Sequence, residues 1–146
     1  MNPKNMGNPS PLQGDAAVAY ILRHCRTVAV VGLSPKPHRD SFRVSQYMQA
    51  QGWKIVPINP NVTEVLGEKA YPSLTEAARH HAIDLVNVFR NAADVPPLAS
   101  EAIAIGAKGL WLQVGIVHPD AVVQARAAGL WAVQDRCLMV EHAQQA

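Results

Sequence analysis

The run Thr27-Val28-Ala29-Val30-Val31-Gly32 places four apolar residues in succession, three of them β-branched, between a threonine and a glycine. A strand with one wet face alternates apolar and polar residues. A strand apolar at every position must be covered on both faces, as in a parallel sheet layered with helices. Comparable runs follow at Lys54–Asn59, Asp84–Phe89, Gly109–Gln113 and Leu130–Gln134. Pro57 lies inside the second of these and cannot donate a ladder hydrogen bond, so it marks an irregularity there.

Helical periodicity fills the gaps between the runs. Asp15 is placed to cap a helix running to about His24, with Val18, Ile21, Leu22 and Cys25 on one face. Phe42–Gln51 has the same spacing and ends at Gly52, and a short helix is expected around Leu74–Arg79. Val95–Ile105 carries Pro96 and Pro97 in its first turn, while His118–Ala128 has Pro119 near its start and Gly129 at its end. Leu138–Gln144 closes the chain as a short helix. Strands alternating with helices predict an α/β, doubly wound parallel sheet of five strands with helices on both faces. The order expected for those five strands is 3-2-1-4-5. Ligands of such sheets bind beyond the carboxyl ends of the strands, at a switch point expected between strands 1 and 4.

Composition sets the outer bounds. The 146 residues are 49% hydrophobic and 16% charged, which suits one core and not two. Residues 1–14 hold Pro3, Gly7, Pro9, Pro11 and Gly14 and read as a flexible tail, with one domain over 15–146. No window approaches the ~18 apolar residues of a membrane span. Met1–Asp15 lacks the basic and apolar regions of a secretory signal. Cys25 and Cys137 stand too far apart in sequence to suggest a disulfide framework or a metal site. A cytoplasmic protein without metal or membrane partner is expected. A net charge of +2 is too mild to argue for nucleic acid.

The strand ends carry the chemistry. After the first strand comes Gly32-Leu33-Ser34-Pro35-Lys36-Pro37-His38-Arg39-Asp40-Ser41. A glycine there permits a tight turn and close backbone approach, and the next helix offers free N–H groups to an anion. Lys36, Arg39 and Arg43 add three positive charges, and Asp40 or Ser41 is placed to cap the helix. A phosphate site therefore weighs against a plain solvated basic loop. The dinucleotide fingerprint G-x-G-x-x-G is not met, because Ser34 replaces its second glycine. The second strand ends in Asn59-Pro60-Asn61, where an NAD site would have a carboxylate for the ribose. Basic residues without that acid favour a ligand carrying more phosphate than NAD, either NADP or coenzyme A.

Several segments in order then resemble a known family. They are Val31-Gly32-Leu33-Ser34, Arg39-Asp40-Ser41, Val56-Pro57-Ile58-Asn59-Pro60, Asp84–Arg90, Trp111–Ile116 and Asp135–His142. From about Asp15 to His142 the chain resembles the small, free-standing CoA-binding-domain proteins. These are similar in fold to the N-terminal CoA-binding domain of the succinyl-CoA synthetase alpha subunit. The resemblance implies a Rossmann-like domain that binds coenzyme A. Gly32, Ser34, Arg39 and Ser41 would face the phosphates, joined by Lys36 on the ground of its charge, and Asn59 and Pro60 the adenosine. Phe89 and Arg90 would lie beside the nucleotide, with Gln113 and Gly115 toward the pantetheine arm. The related synthetase relies on a separate domain with a phosphorylated histidine, of which these residues show no counterpart. The expectation is a module that binds CoA or a short acyl-CoA without catalysis of its own, acting alone, as a homodimer or with another protein. An NADP-type oxidoreductase or redox sensor is the alternative.

Cys137 and His142 are a candidate nucleophile and base, but a five-residue separation does not stack them on a helix. A structural or ligand-lining role is the reading taken, with a mixed disulfide to a CoA sulfur as the sharper one. Asp135 and Arg136 suit an ion pair closing the sheet. His118 suits a helix cap. Trp53, Trp111 and Trp131 suit packing in the core or on the sheet.

Overall fold

The structure, a computed structural model, describes residues 14–145; residues 1–13 of the expected tail lie outside the described residues, and Gly14 already belongs to the first helix. The elements are α1 (Gly14–His24), β1 (Thr27–Val31), α2 (Asp40–Ala50), β2 (Lys54–Ile58), β3 (Glu64–Val65), β4 (Glu68–Lys69), α3 (Leu74–Ala78), β5 (Leu85–Val88), a 3-10 turn at Ala92–Asp94, α4 (Val95–Ala104), β6 (Gly109–Leu112), α5 (Pro119–Ala127), β7 (Trp131–Val133) and α6 (Leu138–Gln145). Each expected strand and helix is present. The short antiparallel hairpin of β3 and β4 lies within a stretch whose sequence shows only turn signals.

The five long strands form one parallel sheet, ordered β2-β1-β5-β6-β7. In the numbering of the five expected strands this is 2-1-3-4-5, which corrects the expected 3-2-1-4-5. Pro57 supplies the physical reason. Ile58 gives its carbonyl to Gly32 N–H on the β1 side (2.9 Å), so the groups of Pro57 face the opposite, outer edge. A further strand would need an N–H there, and proline has none. Instead a single bridge forms between Ile58 and Tyr71: Tyr71 N–H bonds Pro57 O, and Asn59 N–H bonds Tyr71 O, both at 2.9 Å. The third strand therefore pairs on the free side of β1, and the switch point moves to the gap between β1 and β5.

Successive strand residues serve opposite cores, as the unbroken apolar runs require. Ala29, Val31, Val86 and Leu110 pack with α3, α4 and α5 on one face. Val28, Val30, Leu85 and Trp111 pack with α1, α2 and α6 on the other. Each fully buried Val, Leu or Ile contributes roughly 1.5–3 kcal/mol relative to exposure. Trp111 is completely buried and its indole N–H donates to Arg136 O (2.8 Å), which ties the segment after β7 to the core. At the opposite ends of the strands, Asp84 accepts from the backbone N–H groups of Arg26 (2.8 Å) and Thr27 (3.0 Å), locking β1 beside β5. Among the described residues no helix is long and apolar enough to cross a membrane.

Candidate nucleotide-binding cleft

At the carboxyl end of β1 the chain turns through Gly32 at φ +88°, a left-handed conformation. A Cβ at this position would lie 2.7 Å from Phe89 O and 3.1 Å from Arg90 Cδ. The loops after β1 and β5 therefore touch backbone to backbone at the switch point, and only glycine leaves room.

The loop beyond Gly32 is held by its own serines. Ser34 N–H donates to Ser41 Oγ (3.0 Å), and Lys36 N–H to Ser34 Oγ (3.1 Å). Ser41 is buried, so the start of α2 is pinned against the loop. Arg39, not Asp40 or Ser41, is the N-cap residue, and among the described residues no side chain caps the helix. The first N–H groups of α2 are thus left for water or an anion, reinforced by the positive end of the helix dipole.

Two adjacent lobes open over this end of the sheet and share Asp40 and Phe89. The smaller, about 410 Å³, is lined by Gly32, Ser34, Lys36, Arg39, Asp40, Ser41 and Phe89. The larger, about 510 Å³, is bordered by Arg43, Val44, Phe89, Arg90, Asn91, Ala92, Gln113, Val114, Gly115, Ile116, Cys137 and Met139 as well as Asp40. Charge is distributed unequally between them. Arg43 pairs with Asp40 and bonds His38 O (2.6 Å), and Arg90 pairs with Asp94 (3.2 Å). Lys36 and Arg39 form no ion pair among the described residues, so the uncompensated positive charge lies at the smaller lobe.

The structure thus brings together nine of the eleven sequence-predicted residues: Gly32, Ser34, Lys36, Arg39 and Ser41 in the smaller lobe, Arg90, Gln113 and Gly115 in the larger, and Phe89 between them. Asn59 and Pro60 line neither lobe. The Asn59 side chain braces the turn instead, donating to Leu33 O and accepting from Asn61 N–H, both at 2.9 Å. Arg43 moves from the expected phosphate cluster to the wall of the larger lobe. Asn91 and Ala92, which sequence reasoning passed over, are signalled by their position just past β5. Val44 and Met139 carry no such signal, since each reads as a core residue of its helix.

Gln113 is 4% exposed and its Oε1 accepts from Leu138 N–H (3.0 Å), fixing the start of α6. Gly115 N–H donates to Asp135 Oδ1 (2.7 Å). Asp135 and Arg136 do not pair with each other as expected; the Arg136 guanidinium reaches Asp15 (2.8 Å) and Glu141 (3.6 Å). Cys137 is half-buried in the wall of the larger lobe, whereas His142 is absent from its lining and its Nδ1 is engaged by Tyr47 OH (2.9 Å). The candidate nucleophile and base therefore do not share the cleft. Cys25 is fully buried, and burial, aided by the Asp84 carboxylate, pushes its thiol up to about 12. His118 caps α5, accepting from Ala121 N–H through Nδ1 (3.1 Å).

A glycine at the switch point, a helix start facing the cleft and a basic lobe beside a larger mixed one lie at the carboxyl ends of the strands, where a Rossmann-like sheet offers its backbone N–H groups to an anion. Comparison with known proteins narrows the class: residues 26–143 match the CoA binding domain family, and the chain belongs to it. The uncharacterized protein YneT of Bacillus subtilis is 40% identical over 138 residues, spanning 94% of this chain and 98% of YneT. A solved structure of a hypothetical protein from Pyrococcus horikoshii superposes with a TM-score of 0.84 at 36% identity, covering 90% of this chain and 92% of that one. The acetate–CoA ligase (ADP-forming) II of Archaeoglobus fulgidus is 30% identical over 90 residues, 60% of this chain but 13% of the ligase.

Proposed function

We propose that this protein binds coenzyme A, or a short acyl-CoA, across the two lobes and has no catalysis of its own. The observation that carries the reading is the pairing of unlike lobes around Phe89. Lys36, Arg39, the two serines and the open N-terminus of α2 suit the phosphates. The larger lobe, walled by Phe89, Val114, Ile116 and Met139, suits the pantetheine arm and its sulfur. Gly32, which lets the loops after β1 and β5 meet, also borders the smaller lobe. Family membership and the similarity to an acetate–CoA ligase support the same ligand. Cys137 and His142, the pair that would have offered nucleophilic chemistry, are held apart from joint action. That supports binding without turnover.

Calorimetric titration with CoA, dephospho-CoA, NAD and NADP tests the proposal. CoA is expected to bind, and to bind more tightly than dephospho-CoA by roughly tenfold or more, the scale of one charge-assisted hydrogen bond. Binding of NADP with none of CoA would overturn it and favour the oxidoreductase reading.

A further inference from the structure

Asp135 adopts φ +58°, one of two non-glycine residues among the described residues in the left-handed region. The other, Leu66, is explained by its place: with Gly67 it forms the two-residue turn between β3 and β4, and such turns take positive φ at their centre. No hairpin accounts for Asp135, which lies in the connection from β7 to α6. A side chain in this region is held there only where its surroundings fix it, and such residues gather at ligand clamps. The fixing is done by Arg136. Its carbonyl takes the Trp111 indole N–H (2.8 Å), and its guanidinium reaches Asp15 (2.8 Å). The result of the bend is one contact: Asp135 Oδ1 accepts from Gly115 N–H (2.7 Å). Gly115 sits in a turn closed by Ile116 N–H donating to Gln113 O (3.0 Å), and Val114, Gly115 and Ile116 of that turn wall the larger lobe. Packing holds the turn at one end only. Ile116 packs on the core, whereas Val114 is 64% exposed.

We propose that Asp135 is a positioning residue for the ligand, a clamp that fixes the Val114–Ile116 turn as the wall along which the pantetheine arm lies. The inference rests on the CoA-binding reading and assigns a role to a residue outside the cleft: Asp135 lines neither lobe and acts through Gly115. A turn free to move would have to be ordered as the arm arrived, and that ordering subtracts from affinity. The clamp orders it in advance. Gln134, the preceding residue, strengthens the same strap, since its Oε1 takes His118 N–H (2.9 Å) just beyond the turn. Side-chain chemistry separates the bond from the bend. Asparagine keeps an acceptor oxygen and, like aspartate, tolerates the left-handed region. Glycine adopts that region freely but offers no acceptor.

The test titrates the whole protein and its Asp135→Gly and Asp135→Asn variants with CoA by calorimetry. Hydrogen exchange of the unliganded proteins is followed alongside, over residues 113–117 and over β1 as a reporter of the whole fold. Asp135→Gly should weaken CoA roughly tenfold, the scale of one hydrogen bond to a charged group. It should quicken exchange over 113–117 more than over β1. Asp135→Asn should restore most of the affinity and most of the protection. Three results would each refute the clamp and leave the binding reading standing: Asp135→Gly binding CoA as the wild type does, Asp135→Asn losing as much as Asp135→Gly, or exchange quickening equally at both places. If the wild-type protein binds no CoA, both readings fall together.

Discussion

Replacing Gly32 by alanine tests the junction on which the cleft is built. Two costs are separable. At φ +88° an L-residue is strained by about 1–2 kcal/mol even in open space. The new methyl would also lie 2.7 Å from the Phe89 carbonyl oxygen, a backbone atom that cannot swing aside as a flexible side chain can. Forcing those loops apart adds roughly 1–3 kcal/mol, the usual cost of overpacking. The total, about 2–5 kcal/mol, is a large part of the ~5–15 kcal/mol that stabilises an ordinary domain. Gly52 provides the control, since its φ is +91° and no atom of the described residues lies within 4 Å of its would-be Cβ. Urea denaturation followed by circular dichroism should show Gly32→Ala losing more stability than Gly52→Ala by the overpacking cost alone. Calorimetry should show CoA affinity falling in the first variant and holding in the second, because only the first displaces Phe89. Equal losses in both variants would refute the close-approach argument.

Other perturbations address single links. Arg39→Ala should weaken CoA by about 1.5–3 kcal/mol, as loss of a hydrogen bond to a charged group does, measured by titration calorimetry. Burial pushes the Asp84 carboxyl up, but the backbone N–H groups of Thr27 and Arg26, with Lys108, outweigh it and hold the group below the usual carboxylate range. The unfolded chain then binds more protons in that interval, so Asp84 stabilises above the usual range and its contribution is lost as pH falls through the depressed value. Asp84→Asn should flatten that acid limb in urea midpoints measured from neutral pH downward. Ser45 Oγ is buried and has no hydrogen-bond partner among the described residues, so Ser45→Ala should leave the denaturation midpoint unchanged or raise it.

The layered architecture was legible because runs such as Val28–Val31 admit few alternatives to a covered parallel sheet. Strand order was harder, since periodicity carries no information about which strands are neighbours. One signal did exist: Pro57 reads as an irregularity along the chain but as an edge marker across the sheet, and that reading excludes a strand beyond β2. At the cleft, the rule that ligands meet strand ends located most of the lining. It could not foresee that Asn59, at the correct end of β2, would spend both functional groups of its side chain on neighbouring turns. Nor could it show that Asp40 would neutralise Arg43, because that depends on how an exposed helix start orients two side chains.

The outer edge of β2 also bears on how the protein behaves in company. A sheet edge with free N–H groups is a template on which another chain can add a strand, the first step of ordered aggregation. Here Pro57 removes one donor and Tyr71 is strapped across its carbonyl and the Asn59 N–H. At the other end of the sheet, β7 has only three residues, too short to guide a long register. The sheet is thus closed to growth by chemistry on one side and by brevity on the other.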